Sequence, residues 1–234
     1  MPSIIISRFN EDLSWLKNYE NKFKIIIYNK GTKLKNINYG QIINLPNVGR
    51  ESHTWVHHIF NNFENLDNVN IFLQGKIDDL NCMAYKNLDL YIRDLKKDNF
   101  SSSRLGLLGP FHWSYNVGIE KDSRYYLDWE NNKIKKSQFG FRNFAKTLFP
   151  EIPIFVATSY GGCFAVSKDA IKIHNKEFYG ELLKILGEHQ NPIEGHYLER
   201  LWCYMFTKNK LLLPSIKDVF LTKIERSFRL KISQ

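Results

Sequence analysis

The chain has 234 residues, 43% hydrophobic and 15% aromatic, which is enough to bury a full core. Lys and Arg number 33 against 24 Asp and Glu, a formal net charge of +9 that favours anionic partners such as nucleotides, phosphorylated sugars, nucleic acid or acidic lipid without choosing among them. Cys82, Cys163 and Cys203 are odd in number, far apart and set among apolar neighbours, as expected of reduced core thiols, and no apolar run approaches the roughly 18 residues of a membrane span. Together these features predict one soluble, cytoplasmic domain spanning residues 1–234.

Short Ile- and Val-rich runs mark the expected strands: "SIIIS" near the N-terminus, then "KIIIYN", "QIINL", "NIFLQ" and, much later, "IPIFVA". Helical patterns lie between several of them, so the spacing predicts an α/β sheet buried on both faces. Trp55, Val56, Ile59, Phe60, Phe63 and Leu66 keep to one helical stripe, as do Leu88, Tyr91, Ile92 and Leu95. Residues 110–150 are aromatic and charged without clean periodicity, which predicts an irregular, loop-rich insertion over one edge of the sheet. "SYGGCFAVSKDAI" reads as a glycine turn, a strand and a helix capped by Ser167. The last clear stripe, Leu198, Leu201, Trp202 and Met205, belongs to a helix with Asn191 as N-cap, Pro192 at its first position and Glu194 at its third.

Ligands of open α/β sheets lie beyond the carboxyl ends of the strands, so the residues just after each apolar run are the candidates. Arg8 could meet a phosphate, and Asn10 or Asp12 could hydrogen-bond a base or ribose, although Asp12 also suits a helix cap; Glu11 and Asn29 are further donor-side candidates. In "NVGRE", Gly49, Arg50 and a helix N-terminus could converge on a pyrophosphate; the alternative is that Arg50 pairs with Glu51. His53 and His57 share a helix face, but Thr54 stands where a zincin needs Glu, and packing or exposure is the favoured reading. Tyr160, Gly161 and Gly162 allow close backbone approach to a ligand, or serve a plain tight turn. Glu199 lies beside the apolar stripe with His196 three residues earlier. That pair can supply a general base, or Glu199 can be a salt-bridge partner.

The stretches "RFNEDLSWL", "IYNKG", "GRESHTWVHHI", "IFLQG", "GGCFAVSKDAI" and "NPIEGHYLERLW", in that order over roughly residues 4 to 207, resemble domain of unknown function family 3431, found chiefly in fungi and large DNA viruses. That family looks related to glycosyltransferases of the GT-A fold. The resemblance implies a single GT-A-like, Rossmann-like mixed sheet flanked by helices, binding a nucleotide-sugar donor and a glycan, protein or small-molecule acceptor. For an inverting enzyme of this kind Glu199, with His196 beside it, would take the acceptor proton, a retaining one leaves the roles unassigned, and the acceptor side is expected at Tyr160, Gly161 and Gly162. A viral member would work in the host cytoplasm, and nucleic acid is not the expected partner. A nucleotide- or carbohydrate-binding module of the same fold that lacks turnover is the alternative, and a basic nucleic-acid-binding protein, suggested by the net charge and the many aromatics, is the less favoured one.

GT-A enzymes place an Asp-x-Asp motif where a central strand emerges, to hold Mn2+ or Mg2+ against the diphosphate. This chain departs from the pattern with Gln74, Gly75 and Lys76. Either Lys76 neutralises the diphosphate in place of a metal, with Gln74 bonding sugar or ribose, or Asp78 and Asp79 hold the ion from the following loop.

Overall fold

The computed structural model describes residues 1–34, 37–77, 84, 87–109, 124–137 and 139–207. Its centre is a six-stranded mixed sheet in the order β3-β2-β1-β4-β8-β5. Strands β1 (Ser3–Arg8), β2 (Lys24–Asn29), β3 (Gln41–Asn44) and β4 (Val69–Gln74) run parallel. β8 (Phe164–Ser167) lies antiparallel to β4, and the two-residue β5 (Phe100–Ser101) pairs with its far side. The expected α/β class, with a mixed sheet between helices, is therefore what the chain forms.

Side-chain alternation along the strands explains the two cores. Ile5, Ile26, Tyr28 and Phe72 face one side, with helices α1 (Arg50–Asn61), α6 (Lys176–Gly187) and α7 (Ile193–Thr207). Ile4, Ile6, Ile25, Ile27, Ile71 and Leu73 face the other, over the 3-10 segment Ser14–Tyr19 and α2 (Asp89–Asp98). The first core is knit by rings: Phe72 meets Trp55 at 5.3 Å and Phe164 at 5.1 Å, and Phe164 meets Trp202 at 5.6 Å. Such pairs contribute about 0.5–1.5 kcal/mol each beyond the area they bury.

Several boundaries differ from expectation. Helix α1 starts at Arg50, ahead of the apolar stripe, and ends at Asn61, so Phe63 falls in a short 3-10 turn and Leu66 after it. "IPIFVA" forms a strand only from its fifth residue: β7 is Val156–Ser159, and it pairs antiparallel with β6 (Leu105–Leu108) in a separate two-stranded sheet. Pro153 has no N–H to give a ladder, and Ile154 and Phe155 are 51% and 49% exposed. Within the stretch expected to be irregular, the described residues include two helices, α3 (Arg124–Glu130) and α4 (Phe141–Leu148). The buried face of α4 is Phe141, Phe144 and Ala145, an i, i+3, i+4 pattern too short to stand out from the aromatic residues around it. α5 (Lys168–Ile171) is capped by Ser167, whose hydroxyl accepts the Ala170 N–H, as its sequence implied. Cys163 and Cys203 are buried thiols, as expected, while Cys82 lies outside the described residues. Among the described residues, no helix is long and apolar enough to cross a membrane.

Candidate functional site

Parallel pairing brings the carboxyl ends of β1 to β4 to one edge, with Arg8 opposite Asn29, Asn29 opposite Asn44, and Ser7 opposite Gln74. The chain steps from β1 to β2 and β3, then returns to β4 on the other side of β1. That reversal opens a crevice between β1 and β4, and such crevices are where ligands bind in open sheets. A cleft of about 370 Å³ lies there. Ser7, Arg8, Phe9 and Glu11 line it from β1 and the loop after it, Lys30 from the end of β2, Gln74 from the end of β4, and Asn47, Arg50 and Glu51 from the approach to α1. Gln190 and Asn191, which precede α7, close the remaining side.

The residues expected after β1 and β2 tie these loops together. The Arg8 guanidinium is buried and donates to the carbonyls of Phe9, Glu11 and Thr32 and, at 2.6 Å, to Asn29 Oδ1. The Asn29 amide group donates to Thr32 O and Asn44 Oδ1. Asn10 Oδ1 accepts from both the N–H and the hydroxyl of Thr32, outside the cleft lining. Glu11 Oε2 accepts the N–H groups of Phe9 and Asn10. Asp12 caps its own turn through the N–H and hydroxyl of Ser14, and these bonds hold its carboxyl below the usual range.

Gly49 (φ 58°) and Arg50 (φ 48°) adopt left-handed conformations one after the other. The Gly49 N–H donates to His189 O and the Arg50 N–H to Gln190 O, so this turn docks on the segment before α7. It aims Arg50 into the cleft, where its Nε is 3.5 Å from Glu51 Oε2. Arg50 thus lines the cleft and also makes the alternative pairing with Glu51.

On the β4 side, Gly75 is pinned by its N–H to Ser7 O and by its carbonyl, which accepts Trp15 Nε1–H. Gln74 Nε2 donates to Gly161 O at 3.2 Å, and Lys76 is exposed beyond the strand end. Asp78 and Asp79 lie outside the described residues. Gly161 (φ 89°) and Gly162 (φ 66°) make the turn that enters β8 at the same edge, close to Gln74 and Glu51. Three side chains hold this turn: Gln74, Trp55 donating to Gly162 O, and Glu199, whose Oε1 accepts the Gly161 N–H at 2.8 Å. Tyr160 lies under the Arg104 guanidinium, 5.2 Å from its ring centre.

Helix α7 starts at Ile193, and the side chain of Asn191 reaches onward rather than capping it. Its Oδ1 accepts from His196 Nε2 at 3.2 Å, and its Nδ2 donates to Lys133 O. Burial, then the charges of Arg50 and Arg200, hold the His196 imidazole well below its usual pKa and keep it neutral. His196 therefore braces Asn191 against the cleft, and Glu199 meets the site through Gly161. The sequence reading brought Arg8, Glu11, Arg50 and Gln74 to one cleft and missed Glu51, Asn191 and Lys30. Lys30 directly follows Asn29 in "IYNKG", just beyond the run that marked β2, and that position was its only signal.

Fit to the implied Mn2+ or Mg2+ is poor among the described residues. They hold no group of three His, Cys, Asp or Glu side chains placed to bind an ion. The two cleft carboxylates are engaged, Glu11 with backbone N–H groups and Glu51 with Arg50. His53 and His57 share a face, yet burial and the neighbouring Lys30 charge lower both imidazoles, and a nearby cation opposes metal binding.

No curated protein matches the chain in sequence. A family model described as "Protein of unknown function (DUF3431)" matches residues 4–221, and the chain belongs to that family.

Proposed function

We propose that this chain is a GT-A-like glycosyltransferase that moves a sugar from a nucleoside diphosphate donor to a hydroxyl of a glycan, protein or small acceptor. The observation that carries the reading is the cleft at the β1/β4 crevice, where cations and carboxylates meet beyond the ends of four parallel strands. Arg50, on a strained turn at the start of α1, offers a guanidinium and a helix N-terminus to the diphosphate. Glu51, with a side chain 15% exposed, is a cleft-lining carboxylate beside Gly162. In the reaction the acceptor oxygen bonds the anomeric carbon, Glu51 takes the hydroxyl proton, and the nucleoside diphosphate leaves with the bonding pair, its charge met by Arg50. No step is routed through a metal ion.

A second reading, a binding module of the same fold, draws on a different observation. Arg8, Asn29, Gln74 and Glu199 are all bonded to protein groups. One panel separates the readings: melting temperature with uridine and guanosine diphosphates and nucleotide sugars at millimolar concentration, with and without Mn2+, followed by donor turnover with the best ligand. The transferase reading expects a shift of several degrees and release of nucleoside diphosphate. A shift without turnover across varied acceptors favours the module, and no shift with any member of the panel overturns both.

A further inference from the structure

Lys30 is the cleft residue for which the fold makes the least ordinary arrangement. It continues the β2 ladder, its N–H donating to Arg8 O at 2.8 Å, and its side chain runs from the carboxyl edge into the cleft wall, leaving the residue 8% exposed. The ammonium donates to Val48 O at 2.6 Å and to Arg50 O, the carbonyls on either side of Gly49. It therefore sits under the two-residue left-handed turn that aims Arg50. An ammonium has three donors, and these bonds use two of them.

We infer that Lys30 is the central charge of a diphosphate site in this cleft, bonding the anion with its remaining donor and gaining a proton as the anion enters. The identity of the ligand rests on the transferase reading; the anion site rests on the cleft itself. Among the described residues of the lining, Arg8, Lys30 and Arg50 face two carboxylates, Glu11 and Glu51. Glu11 is turned to the N–H groups of Phe9 and Asn10, and Glu51 is shared with Arg50. The Lys30 charge is thus incompletely matched, and its other acceptors are neutral carbonyls. Burial pushes its ammonium down to about 7, against which the Glu51 charge acts. Among the described residues, the remaining groups around it do not supply a counter-charge. His53 and His57 of α1 are held neutral, in part by Lys30 itself, and Arg8 and Arg50 are cations. A diphosphate adjoining this amine favours its charged form, so binding and proton uptake are linked.

The strained turn makes this more than a charge. Because the same ammonium holds both carbonyls flanking Gly49, an anion that fixes its protonation also fixes the turn and the direction of Arg50. Lys30 and Arg50 then act on the anion as a unit.

The test is calorimetric titration of inorganic pyrophosphate into the wild-type chain, Lys30→Met and Lys30→Arg from pH 6.5 to 8.5, at each pH in two buffers of different ionisation enthalpy. The expected result at pH 8 is uptake by the wild type of roughly 0.4 proton or more beyond that of Lys30→Met, as for a group near 7 raised by at least one pKa unit. The wild-type affinity advantage over Lys30→Met should be roughly tenfold or more at pH 6.5 and narrow by pH 8.5, as expected for a charge worth at least one pKa unit to the ligand. Lys30→Arg, permanently charged, should bind without the extra proton. Equal affinity and equal proton count in wild type and Lys30→Met would overturn the inference, as would absence of pyrophosphate binding. If Lys30→Met does not fold, wild-type uptake corrected for pyrophosphate's own titration decides, and zero uptake is the negative result. A positive pyrophosphate result with no nucleotide binding keeps the anion site and sinks the transferase reading. Nucleotide binding indifferent to Lys30 does the reverse.

Discussion

Glu199 accepts the N–H of Gly161, a buried residue, and this one bond separates what its side chain does for the fold from what its basicity could do in a reaction. Glu199→Gln retains an acceptor oxygen, so it should leave stability within about 0.5 kcal/mol of wild type. Glu199→Ala orphans a buried donor and should cost about 1–3 kcal/mol, with the Gly161–Gly162 turn loosened against Gln74. Urea denaturation of both variants measures this. A hundredfold loss of turnover in Glu199→Gln at unchanged stability would return the base to Glu199, as the sequence suggested, and remove it from Glu51.

At the scale of elements, the site depends on how α1 meets α6 and the segment before α7. Gly49 lies at the start of α1 with φ 58°, and an added Cβ would stand 2.5 Å from Leu186 O and 2.6 Å from His53 Cβ. Neither neighbour is the free end of a flexible chain. Gly49→Ala should therefore cost more than about 2 kcal/mol, from strained φ and overpacking together, and should weaken any cleft ligand by shifting Arg50. Gly187, the last residue of α6, provides the control, since a Cβ there meets nothing within 4 Å. Gly187→Ala should raise stability by roughly 0.5–1 kcal/mol. Equal and small effects in the two variants would mean that the α1 start is not held against α6.

Across the whole molecule, buried bases give stability a common direction with pH. Burial lowers His53 to about 3 and His58 to about 4, and also depresses His57 and His196. These groups have folded pKa values below the unfolded histidine value, so between about 6.5 and 4 the unfolded chain binds more protons. Stability falls as pH drops through that window. Lys30, lowered from 10.5 to about 7, continues the trend upward, because above pH 7 the folded state has released a proton that the unfolded chain still holds. The net charge of +9 adds self-repulsion that eases as pH rises. Melting temperature should therefore be higher at pH 8.5 than at pH 6 and drop steeply toward pH 4, as calorimetry can follow. In His58→Gln the slope between pH 4 and 6.5 should lessen by up to about one proton. A maximum near pH 5 would contradict this account.

Sequence alone marked the strands β1 to β4 as Ile-rich runs, most plainly those such as "SIIIS" that are buried on both faces, and their polar ends marked the edge where the cleft lies. It also marked the Ser167 cap and the buried face of α7, which rest on local hydrogen bonding and helical period. It did not reveal α4, whose apolar stripe is short, or the start of β7 after Pro153, where pairing with β6 across a long separation decided the boundary. The roles of the polar residues were decided only by tertiary structure. Arg8 and Asn29 meet because two strands stand in register, and Glu199 finds Gly161 38 residues away in sequence. Lys30 gains its place from carbonyls 18 and 20 residues later. A polar side chain's function depends on which partners and how much water remain around it, and those are properties of the packed chain, absent from any local pattern.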